Sequence, residues 1–406
     1  MITSIAWKNI WRNKTRSMVV IVATILGIIG GLYSSAFMIG MVEQRIEAAI
    51  SKEVSHIQIH NPAFLDNSEI KFEIGDPDKV VAELKKDPMI KNFSLRSKIL
   101  GMISSANTSA GVQILGIDPD SEKKITNIFM TIDDSSGTYF GEEKKNQIVI
   151  SKKLAEKLKV RFHSKIILRF QDSTGNLVES AFKIVGLFRT FNTMFDEQVV
   201  FIKNSDLGNI LGMSPPCHEI ALILNEGRDI DIVKTSLQAQ FKGLRIQNWK
   251  ELQPDLGLMS EIMDIEMMIF LGIILFALAF GIINTMLMAV LERTKELGML
   301  MSIGMNRIRV FKMIMIETVL LTVTGGVTGM IISAVLIRIS YSEGVDLSMV
   351  GKGMEALGYE SVVYPTITPD YFIFLTGMIL VTGVLSSIYP ARKALKIKPA
   401  EAIKME

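Results

Sequence analysis

Charge along this chain comes in blocks, and the blocks leave four long gaps. Residues 17–42, 267–291, 318–337 and 371–391 contain no Asp, Glu, Lys or Arg, over 26, 25, 20 and 21 positions. About 20 apolar residues in a helix cross the roughly 30 Å hydrocarbon core of a bilayer. At mid-span Leu, Ile, Val and Phe each favour insertion by roughly 0.3–0.6 kcal/mol, whereas a charge opposes it by about 2.5–3.5 kcal/mol. The pattern predicts four transmembrane helices. The third run, "TVLLTVTGGVTGMIISAVLI", is rich in Thr and Gly, inserts less readily and is expected to gain from packing on its neighbours.

Between the first two gaps lie 224 residues, 43–266, with a different pattern. Short β-branched runs recur there: "HIQIH" (56–60), "KILGMIS" (98–104), "VQILGI" (112–117), "QIVIS" (147–151), "KIILRF" (165–170), "AFKIVGLF" (181–188), "QVVFI" (198–202) and "EIALIL" (219–224). Asn, Asp, Gly, Ser or Pro bound them, which is the signature of strands. "STGN" (173–176) predicts a hairpin turn between two of these strands. "DKVVAELKK" (78–86) and "KKLAEKLK" (152–159) carry helical spacing instead. "ELQPDLGLMSEIMDIEMM" predicts a helix running into the second span. The insertion is therefore a mixed α/β domain.

Lys and Arg orient the spans. Lys8, Arg12, Lys14 and Arg16 precede the first span with no acid among residues 1–16. Arg293, Lys295, Arg307, Arg309 and Lys312 follow the second, and Arg392, Lys393, Lys396, Lys398 and Lys404 follow the fourth. Residues 338–370 hold only Arg338 and Lys352 as cations, with Glu343, Asp346, Glu355 and Glu360 among the acids. The positive-inside rule then makes residues 1–16 a cytoplasmic amphipathic segment, 43–266 the extracytoplasmic domain, 292–317 a cytoplasmic segment, 338–370 a short outer loop and 392–406 a cytoplasmic tail. An even number of spans requires the same arrangement of termini. The first run, with its basic start, resembles a signal peptide, but 26 charge-free residues exceed the usual apolar core of about 7–15. The anchor reading is preferred.

Composition adds exclusions. Hydrophobic residues make up 49% and charged residues 21%, which suits a membrane part joined to a water-exposed part. A net charge of +2, with no basic tract, argues against nucleic acid as a partner. One cysteine, Cys217, excludes an intrachain disulfide and a cysteine cage for zinc. His56 and His60 share a face, but no acid or cysteine cluster joins them, so no metal site is expected. No Ser-His-Asp or Cys-His arrangement stands out. Gly27 and Gly31 in the first span, and Gly325 and Gly329 in the third, form G-x-x-x-G pairs. These permit close helix approach, although glycine is common in membrane helices generally.

The most informative stretch is "ERTKELGMLMSIGMNRIRVFKMIMIE", residues 292–317. With its continuation it resembles the E-R-x-x-E-[IL]-G-x-[LM]-x-[AS]-[IL]-G-x-x-[RK] signature of the MacB/FtsX-type permeases of ABC transporters. "YPARKALKIKPAEAIK" (389–404) resembles that family's closing motif, and "IAWKNIWRNKTRS" (5–17) its N-terminal amphipathic lead-in. "QIVISKKLAEKL" and "AFKIVGLF" resemble a block of its periplasmic core domain. Where members often carry Gly-Asp before the "KIILRF" strand, this chain has His163-Ser164. The resemblance implies an α-helical membrane protein with four transmembrane helices and a MacB-type α/β core domain inserted between the first two.

It also implies that residues 292–317 form a coupling helix docked on an ATPase. Glu292, Arg293, Glu296, Leu297, Gly298, Leu300, Ile303, Gly304 and Arg307 are the expected coupling residues. Met299, Leu300, Met301 and Ile303 would supply the apolar surface, charges a rim, and the two glycines the turn. A helix lying on lipid headgroups is the alternative, but its rim would be mostly basic, and this one has mixed sign. Glu317 is expected to pin the segment through Lys312 or Arg309, or else to reach water as an interfacial carboxylate.

The chain contains no G-x-x-x-x-G-K-[ST] loop, so no cofactor is expected on it. ATP and Mg would sit on a separate ATPase subunit, and a non-catalytic permease dimer, of like or related chains, would ride on two ATPases. Helices continuous through spans one and two would carry the motion outward. The cargo implied first is a lipoprotein or other membrane-associated molecule, released from the bacterial inner membrane as in the lipoprotein-releasing (Lol) permeases. MacB-like efflux and FtsX-like activation of a cell-wall hydrolase are the alternatives. The topology has a direct test: reporters placed at residues 150 and 300 are expected in opposite compartments of intact cells.

Overall fold

The computed structural model describes residues 2–133, 136–141 and 145–396. Most of the expected tail, with Lys398 and Lys404 of the closing motif, lies outside the described residues. The chain divides into two compact units, one of residues 1–42, 261–346 and 362–406, the other of residues 43–260 and 347–361.

The described residues include four helices long and apolar enough to cross a membrane, whose charge-free runs belong to the first unit. They are Lys14–Ala49, followed directly by a π-turn at Ile50–Val54, then Pro254–Glu292, Arg307–Glu343 and Pro369–Leu395. The Thr-rich third span solves its polarity internally. Thr318, Thr322, Thr324, Thr328 and Ser333 each donate to the carbonyl four residues back, at 2.7–3.0 Å. No hydroxyl among these is left for lipid to accommodate.

All four packing glycines lie at close helix contacts. A Cβ on Gly27 would meet the Leu278 side chain at 2.7 Å, and one on Gly31 would meet Leu271 and Ile274 at 3.2 Å. A Cβ on Gly325 would lie 2.8 Å from Thr24, and one on Gly329 3.0 Å from Ile28. The first span thus receives the second on one side and the third on another. Ile28, Leu32, Leu271, Leu275, Ile337, Leu375 and Ile379 fill the space between the four helices.

The second unit is built on nine described strands: β1 (Ile57–His60), β2 (Ile90–Ser104), β3 (Ser109–Ile117), β4 (Gln147–Ser151), β5 (Lys165–Gln171), β6 (Leu177–Phe188), β7 (Val199–Lys203), β8 (Glu219–Leu224) and β9 (Arg245–Asn248). Strands β9-β1-β8-β2 form an antiparallel sheet in that order. With helices Pro77–Leu84 and Ile230–Gln240 this is a βαββαβ, ferredoxin-like lobe. Its core holds Ile57, Ile59, Leu84, Ile220, Leu222, Val233, Leu237 and Trp249.

Residues between β2 and β8 form a second lobe. The order β2-β5-β6-β4-β7-β3, with β3 pairing back to β2, closes a six-stranded barrel. Alternation along β5 points Ile166, Leu168 and Phe170 into the barrel core beside Ile148, Ile150, Phe182 and Ile184. The tip between β5 and β6 is the expected turn, with Gly175 at φ +86° and its N–H donating to Asp172. The departure from the family pattern falls on a strained position: His163 has φ +70°, where glycine fits without cost.

β2 serves both lobes, its first half pairing with β8 and its second with β3 and β5. At the changeover sits a buried charge network. Arg96 donates to Glu122 at 2.6 Å and to Glu219 at 2.7 Å, and Lys98 reaches Glu219 at 2.6 Å. Burial alone would raise the Glu219 pKa, yet Lys98 and Arg96 hold it at about 2. Cys217 is buried nearby, its thiol pushed up to about 12 by burial and the Glu219 charge.

Residues 347–361, read from sequence as part of a loop, belong to this unit and include the helix Gly351–Ala356. Glu355 pairs with Arg189 and Lys153, and its carbonyl accepts from Thr193 Oγ1 at 3.2 Å. Glu360 pairs with Lys52 at 3.4 Å. The segment straps onto the barrel side by charge.

His60 is buried against Phe64, and its ring nitrogens lie 3.2 Å from the His218 carbonyl and 3.0 Å from the Gln58 amide oxygen. Burial first, then Lys98 and Arg96, depress its pKa to about 4, outweighing the pull of Glu219. A depressed base folds best when neutral, so its contribution is full above about pH 6.5 and is lost as pH falls toward 4. Over that window His60 alone is expected to account for a loss of about 3 kcal/mol, read by circular dichroism as the difference in thermal unfolding between the native chain and His60→Gln, because Asp196, raised to about 6 by burial, titrates in the opposite sense. The pH dependence left in His60→Gln is expected to come from His56 and His218, also depressed by burial, from Asp196, and below them from Glu219.

Candidate functional site

The second span helix ends at Glu292, and Arg293 (φ −99°, ψ 15°) breaks the helical path. A short helix, Thr294–Ser302, follows. Gly304, at φ +100°, reverses the chain, a conformation that would strain any side chain. Asn306 then caps the third span helix, its side-chain oxygen accepting from the Ile308 N–H at 3.1 Å. Gly304 makes the turn; Gly298, expected to share that task, is buried inside the short helix instead.

Helical period divides the expected apolar surface. Leu297, with Leu300 and Met301 three and four residues on, faces a core of Ile10, Val290, Val310, Met313 and Ile314. Leu300 and Met301 are half-buried against the chain's own packing, which leaves Met299 and Ile303 as the more outward of the expected apolar residues. Met299 and Ile303, one turn apart, point the other way, and Ile303 is 86% exposed. Gly304, Arg307 and Ile308 are exposed beside them. The outward surface is smaller than the sequence suggests, and it is centred on Ile303.

The charged rim is tied down from the N-terminal side. The helix Ile2–Arg12 packs Ala6 and Ile10 inward, and its Arg12 forms an ion pair with Glu296. Arg16 pairs with Glu292 at 3.0 Å. The mutual hydrogen bond raises the Arg12 pKa and lowers that of Glu296. Being exposed, such a pair contributes only roughly 0.2–1 kcal/mol, so it orients more than it stabilises. In the sequence analysis Arg12 and Arg16 counted only as positive charge. Arg12 and Arg16 lie on two successive helices, as do Glu292 and Glu296, so no single-helix spacing in the sequence announces these pairs.

Glu317 is buried, its side chain 4% exposed, and it accepts from Arg293 at 3.1 Å. Arg293 also reaches Glu296 at 3.5 Å. The partner is therefore Arg293, not Lys312 or Arg309. Those two are exposed and point away, because five and eight residues along a helix do not return to the same face. Glu317 ties the start of the third span to the end of the second.

No group of three His, Cys, Asp or Glu side chains among the described residues is arranged to hold a metal. His56 accepts from the Leu224 N–H at 3.0 Å. The arrangement is a mechanical fitting: a short helix fixed at both ends, with one apolar face left open. Glu317→Ala leaves Arg293 without its buried partner and is expected to cost about 3–5 kcal/mol, read as a lower melting temperature of the purified protein, with Glu317→Asp intermediate.

Two family profiles cover nearly the whole chain. Residues 17–240 match the MacB-like periplasmic core domain, and residues 268–399 match the FtsX-like permease C-terminal region. An uncharacterized ABC transporter permease of Methanocaldococcus jannaschii is 23% identical over 238 residues, covering 56% of each chain. The macrolide export ATP-binding/permease protein MacB of Bdellovibrio bacteriovorus is 23% identical over 424 residues, covering 97% of this chain and 60% of its own. The pyoverdine export ATP-binding/permease protein PvdT of Pseudomonas savastanoi is 25% identical over 435 residues, covering 99% of this chain and 59% of its own. The chain spans little more than half the length of these relatives.

Proposed function

The chain belongs to the ABC-transporter permeases that combine a MacB-like periplasmic core domain with an FtsX-like C-terminal region, and from that premise we propose that it converts ATP hydrolysis on a separate ATPase subunit into mechanical work at the outer face of the inner membrane. The observation that carries this reading is the open face at Met299 and Ile303, on a short helix tied to both neighbouring spans by Arg293–Glu317 and to the N-terminal segment by Arg12–Glu296 and Arg16–Glu292. A force applied there reaches three helices without bending the fitting. Two such subunits, identical or related, would sit on two ATPases.

The cargo we assign first is a lipoprotein or another membrane-associated molecule, taken up at the outer leaflet. The charge-free runs of the four spans support this choice, because a polar conduit through the midplane would need ionisable or strongly polar lining groups. Efflux of a small molecule is the second reading, supported by the names of the macrolide and pyoverdine export relatives.

Ile303→Glu is expected to weaken co-purification of the ATPase about tenfold, a loss of roughly 1.4 kcal/mol, while leaving the melting temperature unchanged. Undiminished association would defeat the docking assignment. Depletion of the protein followed by membrane fractionation tests the cargo: lipoproteins are expected to accumulate in the inner membrane. Normal sorting, together with new sensitivity to exported compounds, would transfer the assignment to efflux.

A further inference from the structure

The N-terminal helix Ile2–Arg12 has an outward side that the coupling assignment does not use. Ala6 and Ile10 are buried against the third span helix, while Trp7 and Trp11, also one turn apart, are 45% and 44% exposed. Their rings meet edge to face, centroids 6.0 Å apart. Lys8 falls between the two in sequence and Lys14 opens the next helix; both are exposed, and neither has an ion-pair partner among the described residues. The next helix, separated by Asn13 alone, opens with exposed Met18, Val19 and Val22, side chains that a bilayer covers.

Two exposed tryptophans are costly in water and well placed in one layer only. An indole at the headgroup level buries its ring against the upper acyl chain and keeps its N–H in contact with water and ester oxygens. Unpaired lysines at the same level attract phosphate-bearing headgroups, each worth roughly a fivefold preference for an anionic surface. A protein partner would more naturally meet the mixed-sign face at Ile303. This side of the helix, with cations only, fits a negative one.

We propose that Trp7, Trp11, Lys8 and Lys14 form an interfacial binding surface for anionic phospholipid headgroups of the cytoplasmic leaflet. The assignment rests on the orientation read from Lys and Arg and is independent of the cargo. Because Arg12 on the same helix pairs with Glu296, lipid held at this surface steadies the coupling helix through one ion pair.

The test uses the full chain in nanodiscs and quenching of tryptophan emission by brominated lipids. Brominated phosphatidylglycerol is expected to compete several-fold better than brominated phosphatidylcholine for the quenched sites. The excess quenching should vanish in Trp7→Phe/Trp11→Phe, which retains Trp249. Lys8→Gln/Lys14→Gln should bring the ratio of the two lipids close to one while quenching by either persists. Equal competition by both lipids in the unmodified chain, or a ratio that survives loss of the lysines, overturns the proposal. So does emission unaffected by any lipid but shielded from acrylamide when an ATPase subunit is added, which would assign the surface to protein. A correct topology with equal lipid competition defeats this surface alone, whereas a reversed topology defeats the transport reading with it.

Discussion

In a bilayer, helices gain nothing by leaving one apolar neighbour for another, so their association depends on how closely backbones approach. Here that constraint centres on the first span. Gly27 and Gly31 open one side of it to Leu271, Ile274 and Leu278, while Gly325 and Gly329 bring the third span against Thr24 and Ile28. Without these contacts the Thr- and Gly-rich third span would have less to hold it. The N-terminal helix and the short helix Thr294–Ser302 both rest on that bundle, sharing its core at Ile10, Leu297, Val310 and Met313. The open face at Ile303 has a defined direction because the layer beneath it is close-packed.

Charge does a different job on each unit. In the outer domain, Arg96, Glu122, Glu219 and Lys98 form a satisfied, buried network at the strand shared by both lobes. Its members cannot be removed singly without exposing the others to a dry interior. Around the short helix Thr294–Ser302 the Arg12–Glu296 and Arg16–Glu292 pairs are partly exposed and individually weak and act by geometry, whereas Arg293–Glu317 is buried. Arg12 holds Glu296 on the nine-residue helix, and Arg16 holds Glu292 at the end of the second span. One network specifies a fold; the other aims a surface.

Much of this was legible beforehand. The four spans follow from charge-free length, and strands buried on both sides, such as β4 and β8, announce themselves as continuous β-branched runs. Two of the missed strands share a cause. The first half of β2, "IKNFSLR", and β9, "RIQN", alternate polar with apolar over few residues and bury their polar groups in partnerships formed across the chain. Residues 347–361 carry no apolar period, so only the distant Arg189, Lys153 and Lys52 reveal why they belong to the outer domain. At the candidate site the signature located the segment, but not which of its side chains face inward. That depended on the core beneath, and on Arg293 rather than a nearer cation answering Glu317.

Cys217 has a practical consequence of its own. Buried under the ferredoxin-like lobe with its thiol pushed up to about 12, it offers almost no thiolate at neutral pH. Modification of the native chain by maleimides or iodoacetamide at neutral pH is expected to be slow. A single cysteine introduced on the Ile303 face or beside Trp7 would carry a fluorophore or spin label in a chain otherwise left as it is.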